Sequence, residues 1–460
     1  MLTTIIIVVA LYFAGMVAIG VAGRKNTETF DSYMTLGKKA GVILIMGGMI
    51  GNQIGNGFVI GGASEGAVSG MAGAAYGIAC AATALVVAFV IGDWIYKSGY
   101  VTLSEYTLAR YKTVIPGLIF DISESCAIVG LIAGQIMAGK ALFEALGMSG
   151  IAGALVIAVV VFLYSQLSGL WGAFATSVVQ TVIIGVGLVL VTVVVISKGG
   201  LSEMQAAVAQ GTLAKKALDF SGMDLAGFVA MMVPVLLECF VDETMWQRVC
   251  SAKSLKTNKV AHVLSFFVMI PLALMPAFIG SYGNFKYGSE GSTAFFDVVL
   301  NEVPIIIAAI VIAAVLAAVM STIDACLICA SSLLTKDIYL GLMKKPPVES
   351  KVKKLVLILN VVVIGLATVF ALTSSSILDI FNAMYTFLTA CCFAPFVMGI
   401  LMKKGNANGA IASSVVGIII VVLGFFGLSL PYAEVTTIVI SCLTFVIVSL
   451  LIPEKAAKND

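Results

Sequence analysis

Charge is what this chain has least of. Only 11% of its 460 residues are Asp, Glu, Lys or Arg and 60% are hydrophobic, against about 25% charged and ~45–50% apolar in a soluble domain. A soluble chain this long would split into domains with polar surfaces, so a soluble enzyme and a secreted disulfide scaffold are excluded. The formal net charge of +2 offers no polyelectrolyte surface for nucleic acid. Histidine is almost missing: the one residue, His262, follows the Lys-rich stretch Lys253–Lys259 and reads as a helix-end residue, not a ligand. With no second Cys/His pair beside it, Cys326-x-x-Cys329 is not a zinc site. The nine cysteines are odd in number and mostly inside apolar runs, where free thiols pack as small hydrophobes. No nucleophile–base pair and no phosphate loop is present, so no enzymatic activity and no cofactor are expected.

What the chain has instead is apolar runs. They fall at 2–22, 41–63, 70–95, 114–139, 150–167, 170–197, 226–247, 260–281, 304–334, 354–373, 376–402, 408–428 and 433–452, each long enough for a membrane helix of about 20 residues. This predicts an all-α polytopic membrane protein of about thirteen spans. The first run lacks a basic leader and is followed at once by Arg24-Lys25, so it reads as a retained span and not a cleaved signal. Alternate connectors place 21 of the 26 Lys and Arg on one side. The positive-inside rule then puts the N-terminus outside and the C-terminus in the cytoplasm of the cell membrane. No connector holds a folded domain; the longest, 198–225, has room for one short surface helix.

Two spans carry breaks. The second reads Gly47-Gly48-Met49-Ile50-Gly51-Asn52-Gln53-Ile54-Gly55-Asn56-Gly57-Phe58. Small residues serve close helix packing, but amides at Asn52, Gln53 and Asn56 point to an unwound segment facing a polar cavity. The seventh holds Pro234, then Glu238, Asp242 and Glu243, and carboxylates at mid-membrane cost ~2.5–3.5 kcal/mol each. Broken helices five spans apart are the arrangement of a five-plus-five inverted repeat. The expected organisation is therefore 1–40 as a first span and cytoplasmic loop, and 41–402 as a ten-helix core with repeats 41–197 and 226–402. Two accessory spans and a tail follow over 403–460.

In the ninth span Ala318, Ser321 and Thr322 stand at i, i+3 and i+4, so one helix face offers a carbonyl and two hydroxyls. Uncharged hard oxygens suit a Na⁺ that must leave again; bonding back to the preceding turn is the alternative, and spacing does not choose between them. The stretch Ala317–Asp324, running on to Ser331–Asp337, resembles the signature of the sodium:solute symporter family, which has the leucine-transporter-like fold. Phe30–Lys38 is similar to that family's first cytoplasmic motif, and Gly61–Tyr76 to its glycine-rich exit from the first core helix. Gly169–Gln180 resembles a third motif, and Trp246-Gln247-Arg248 with Ala252-Lys253 a fourth. The resemblance implies a Na⁺-coupled symporter working by alternating access, with Na⁺ held by the carbonyls of Gly51, Ile54 and Ala318 and the hydroxyls of Ser321 and Thr322. One departure stands out: where the family usually has Thr-Asp, this chain has Thr176-Ser177 before Gln180. The carboxylate that assists a further sodium in some members is missing, which predicts one Na⁺ per solute.

For the solute, Asn52, Gln53, Asn56 and Phe58 offer amide contacts and an apolar wall, and Glu124, Glu238 and Asp242 offer charge. With no Lys or Arg comparably deep, these acids bind a cation, face water or are protonated. An ammonium-bearing solute, amino acid or amine, is one reading; neutral hydrogen-bonded acids between helices are another. A proton-coupled or uncoupled carrier on the same fold is the rival function, and a channel or transport-derived sensor a more distant one. A monomer in the lipid bilayer, with Na⁺ and a small solute as partners, is expected.

Overall fold

The computed structural model describes residues 2–23, 36–341, 349–374, 376–428 and 430–452. Among these no strand occurs; the one isolated bridge joins Ala40 to Ala252. Arg24, Lys25, the Phe30–Thr35 part of the first cytoplasmic motif, and Lys344, Lys345, Lys455 and Lys458 lie outside the described residues.

The chain runs through α1 (Leu2–Gly23), α2 (Val42–Gln53), a π-turn at Gly57–Gly61 leading into α3 (Gly62–Ser69), α4 (Ala75–Val86), α5 (Gly92–Ser98), α6 (Leu103–Tyr111) and α7 (Ile115–Ala145). It continues through α8 (Gly150–Ser197), α9 (Gly200–Ala209), α10 (Leu225–Glu238), α11 (Glu243–Ser251), α12 (Leu255–Tyr287), α13 (Thr293–Glu302) and α14 (Ile305–Leu333). Last come α15 (Glu349–Thr373), α16 (Ile377–Phe393), α17 (Ala407–Phe425) and α18 (Ala433–Leu451). Among the described residues eight helices are long and apolar enough to cross a membrane, nine if the bent pair α10–α11 is one span. Four shorter apolar helices accompany them, at Thr3–Ile19, Val42–Gln53, Gly150–Leu163 and Val435–Leu451. The connector 198–225 does carry a short helix, α9, while α6 and α13 occupy connectors where no helix was expected.

In two regions helical turns continue where hydropathy leads to a connector. From Gly57 to Ser98 helical turns follow one another without a polar connector, yet the chain reverses at Gly70, whose φ of +63° suits glycine. Past that turn Gly73 lies against Gly66, and Gly77 against Phe58, so α3 and α4 are antiparallel. The second is α8, where helical turns run unbroken over Gly150–Ser197 although Gly150–Leu163 and Leu170–Ser197 are separate apolar stretches, the two expected from hydropathy. Its contacts are nevertheless those of two arms. Gly153 packs on Phe143 and Ile157 on Gly139 of α7, and the arm ends with Ser165 bonded to Asp324 of α14. The second arm passes Ser177, against Gly51, and reaches Gly187, against Ala314, so it travels back along α14.

Close packing positions α2. Cβ atoms at Gly47, Gly48 and Gly51 would strike Val178, Phe174 and Ser177 of α8, so only glycine lets these two backbones approach this closely. At the far end of the chain, Asn406 Nδ2 donates to the Ser449 carbonyl at 3.1 Å, pairing α17 with α18. Ser414 Oγ donates to the Cys391 carbonyl of α16 at 2.7 Å.

Candidate ion and solute site

α2 ends at Ile54, where φ −85° and ψ 67° leave the helix. The cause lies in two distant neighbours. A Cβ at Gly55 would stand 2.6 Å from Gln135 Nε2 and 2.8 Å from Thr322 Oγ1, so glycine admits α7 and α14 right up to the backbone. Gln135 Oε1 accepts the Asn56 N–H at 2.8 Å, and Asn56 Nδ2 donates to the Gly134 carbonyl at 2.7 Å. The unwound turn is thus satisfied by side chains and not by lipid.

On its other flank, the Thr322 hydroxyl lies 3.5 Å from the Gly51 carbonyl, 3.2 Å from that of Asn52 and 3.2 Å from that of Ala318. Ser321 Oγ is 3.0 Å from the Ala318 carbonyl. Thr322 is therefore brought to Gly51 and Asn52 across some 270 residues of chain, while the bonds of Ser321 and Thr322 to the Ala318 carbonyl lie within α14's own turn. Ile54 stands at the break with its N–H on the Ile50 carbonyl at 2.7 Å. The Asn52 carbonyl, which sequence reasoning did not name, also faces the Thr322 hydroxyl; its place one residue after Gly51 was the available signal.

The second interruption falls between Glu238 and Glu243, not at Pro234, and bends the path by 48°. Asp242 caps α11: Oδ1 accepts the Thr244 N–H at 2.6 Å and Oδ2 the Thr244 hydroxyl at 2.7 Å. Trp246 Nε1 donates back to the Phe240 carbonyl at 3.2 Å, closing the bend. Asn52 Nδ2 donates to Thr244 Oγ1 at 3.1 Å, which joins the two breaks directly.

A cavity of about 30 Å³ lies between them, room for one or two waters. Asn52, Gln53, Glu124, Glu238, Asp242 and Thr322 all line it, with Gln135, Thr244, Cys326 and the aromatics Tyr76, Phe381 and Tyr385. Two expected wall residues are turned away. Asn56 is spent on Gly134 and Phe58 packs against Gly77. The aromatic wall comes instead from Tyr76 and Tyr385, whose hydroxyls are 3.1 Å apart, and from Phe381. A larger cavity, about 340 Å³, opens beyond Gly61 and Leu378, between Glu65, Lys140, Glu144 and Asp379.

The acids divide by environment. Glu124 is 2% exposed; its Oε1 accepts the Glu243 N–H at 3.3 Å while Oε2 meets no partner. Glu243 Oε2 accepts the Leu103 N–H at 3.2 Å, and Asp121 Oδ1 the Ser104 hydroxyl at 2.5 Å, so both hold α6 in place. The expectation that no basic residue lies deep is corrected by Arg248, which is 2% exposed. Its Nε donates to the Gly48 carbonyl at 2.8 Å and its Nη1 to the Thr244 carbonyl, with the guanidinium 5.7 Å from the Phe174 ring. The seventh apolar run ends at residue 247, which leaves Arg248 to a connector; α11 carries it back into the protein. His262 is also no helix-end residue: it is buried inside α12, with Nδ1 2.8 Å from the Asn258 carbonyl.

Comparison with known proteins adds the family context. The model of the sodium:solute symporter family matches residues 33–417. The sodium/sialic acid symporter SiaT of Proteus mirabilis (strain HI4320) is 26% identical over 60% of this chain and 60% of its own length, so that alignment spans three fifths of the relative. The sodium/proline symporter of Escherichia coli (strain K12) is 23% identical over 98% of this chain and 93% of its own. A solved structure of a Na⁺-coupled sialic acid symporter, substrate-bound and outward-open, superposes with a TM-score of 0.83 at 22% identity, covering 98% of this chain and 99% of that one. The fold is shared at that level.

Proposed function

The chain belongs to the sodium:solute symporter family, and from that premise we propose that it imports a small polar organic solute, an amino acid or an amine, together with Na⁺ by alternating access. The meeting of the Thr322 hydroxyl with the Gly51 and Asn52 carbonyls is the observation that carries this reading. Neutral oxygens from a broken helix and a facing helix match what a hard, exchangeable cation needs. Na⁺ is assigned to Gly51, Ile54, Ala318, Ser321 and Thr322, and the solute to Asn52, Gln53, Glu124, Glu238 and Asp242. A cavity of about 30 Å³ is too small for an organic solute, so loading requires its walls to part.

The rest of the architecture is proposed with it. Thirteen crossings follow if the four shorter apolar helices are added to the long ones, with α2 and α3 as one broken span. The ten-helix core would then run over 41–402 with repeats 41–197 and 226–402, flanked by 1–40 and 403–460. The protein is placed as a monomer in the cell membrane, N-terminus outside and C-terminus in the cytoplasm. With Ser177 where a carboxylate would stand, one Na⁺ moves per solute.

Uptake into proteoliposomes tests this, with the solute first found by a thermal-shift screen with and without Na⁺. An inward Na⁺ gradient should drive accumulation with one sodium per solute. Uptake that ignores Na⁺ and follows an imposed pH gradient would favour a proton-coupled carrier instead. A charge ratio requiring two Na⁺ would refute the stoichiometry.

A further inference from the structure

In carriers with broken helices, the N-terminal end of a half-helix is the usual seat for an anionic group of the solute. Here those ends are taken. Asp242 holds the Thr244 N–H at 2.6 Å, Glu124 the Glu243 N–H at 3.3 Å, and Gln135 the Asn56 N–H at 2.8 Å. A solute carboxylate arriving at either break meets an oxygen already in place, and at α11 a second negative charge.

No cation offers an alternative seat. The cavity wall contains three carboxylates and no Lys, Arg or His. Arg248 turns its Nε and Nη1 to the Gly48 and Thr244 carbonyls and does not line the cavity. The charge of Asp242 is offset by the helix terminus it caps and by Arg248, which bonds the same turn of α11. That leaves Glu124, with Oε2 unpartnered, and Glu238, buried against the cavity. A buried carboxylate needs a positive partner; Na⁺ at Thr322, itself a wall residue, is one such partner for this pair of acids, and a solute ammonium is another. Tyr76 stacks on Phe381 and Tyr385, with centroids 6.3 and 6.4 Å apart, and all three rings line the cavity, a wall of the kind that favours a cation.

We propose that this cavity takes an organic ammonium ion carrying no carboxylate, held between Glu124 and Glu238. The proposal rests on the sodium-symport reading above and narrows its solute from amino acid or amine to amine.

Paired ligands test it on the purified full-length protein in saturating NaCl: ethylamine against β-alanine, propylamine against γ-aminobutyrate, and choline against betaine. Within each pair the ammonium end is kept and a carboxylate is introduced, in the last pair in place of the terminal hydroxymethyl group. At least one amine should raise the melting temperature saturably, with its carboxylated counterpart at least ten-fold weaker. Glu124→Gln and Glu238→Gln should each weaken that amine about thirty-fold or more, as expected when one partner of a buried charge pair is lost. Glu238→Asp, which keeps the charge, should recover most of the affinity, and each variant's ligand-free melting temperature reports whether it folds. A carboxylated ligand that binds as tightly as its amine, no response to any amine, or amine binding unchanged in both Gln variants each overturns the proposal. Stabilisation by NaCl alone, lost in Thr322→Ala, is the separate readout for sodium. If it holds, the symporter reading survives whatever the amines do; if the parent protein shows none, that reading falls.

Discussion

The two broken helices reach the same cavity by opposite chemistry. At Ile54–Gly55 the chain unwinds because glycine lets Gln135 and Thr322 touch the backbone, and what faces Thr322 is neutral carbonyl oxygen from the C-terminal, partially negative end of α2. Between Glu238 and Glu243 the chain bends and restarts, and what faces the cavity is carboxylate, with one acid consumed in capping the new helix. The first break offers neutral oxygens, the kind a small hard cation takes in the proposed reading. The second is built around charge and has already closed its own anion seat. Breaks are thus not interchangeable: which end of a half-helix faces the cavity, and what caps it, decides what can bind.

Gly55→Ala strikes the first break hardest. Its Cβ would lie within 2.8 Å of both Thr322 and Gln135, costing ~1–3 kcal/mol of overpacking. Stabilisation by Na⁺ in a melting experiment should disappear, whereas retained stabilisation would mean the carbonyls of this turn do not hold the ion. Ser321→Ala and Thr322→Ala each remove one hydroxyl. Losing a ligand worth ~1.5–3 kcal/mol should raise the Na⁺ concentration for half-maximal transport about ten-fold or more, with membrane levels unchanged. Wild-type sodium dependence in both would move the ion elsewhere.

The second break should answer in stability before function. Asp242→Ala uncaps α11 and should cost ~1 kcal/mol, read as a lower melting temperature that Asp242→Asn largely restores. An Asn variant as unstable as the Ala variant would show that charge, not capping, is the main role of Asp242. The smallest effect is expected from Trp246→Phe. It removes the Nε1 bond to the Phe240 carbonyl, worth ~0.5–1.5 kcal/mol, while keeping the ring packed against Trp94 and Phe396. A shift larger than that of Asp242→Ala would make the tryptophan, not the cap, the main support of the bend.

Legibility in the sequence followed the range of the interaction concerned. The amide-and-glycine run in α2 and the acid run after Pro234 both mark real interruptions, because polar groups in an apolar stretch betray themselves locally. The hydroxyl face of α14 was equally visible from its spacing. Phe58 was misplaced because a sequence shows that a ring is near a break, not which side of the backbone it takes. Arg248 was misplaced because the bend at Glu238–Glu243 returns α11 to the interior, where two carbonyls receive it.

By itself the sequence determined that this chain is a multi-pass membrane protein, that two helices break, and which oxygens could meet a sodium ion. Those properties are written in hydropathy and short-range spacing, which act within a few turns of helix. Only the tertiary structure decided which acids are free. Asp242 becomes a cap because of a helix that starts beside it. Glu243 and Asp121 are bound by α6, and Glu124 gives one oxygen to α11 from 119 residues away while the other has no partner. The availability of a buried charge depends on who stands within 3 Å of it, and that is set by packing, not by the order of residues.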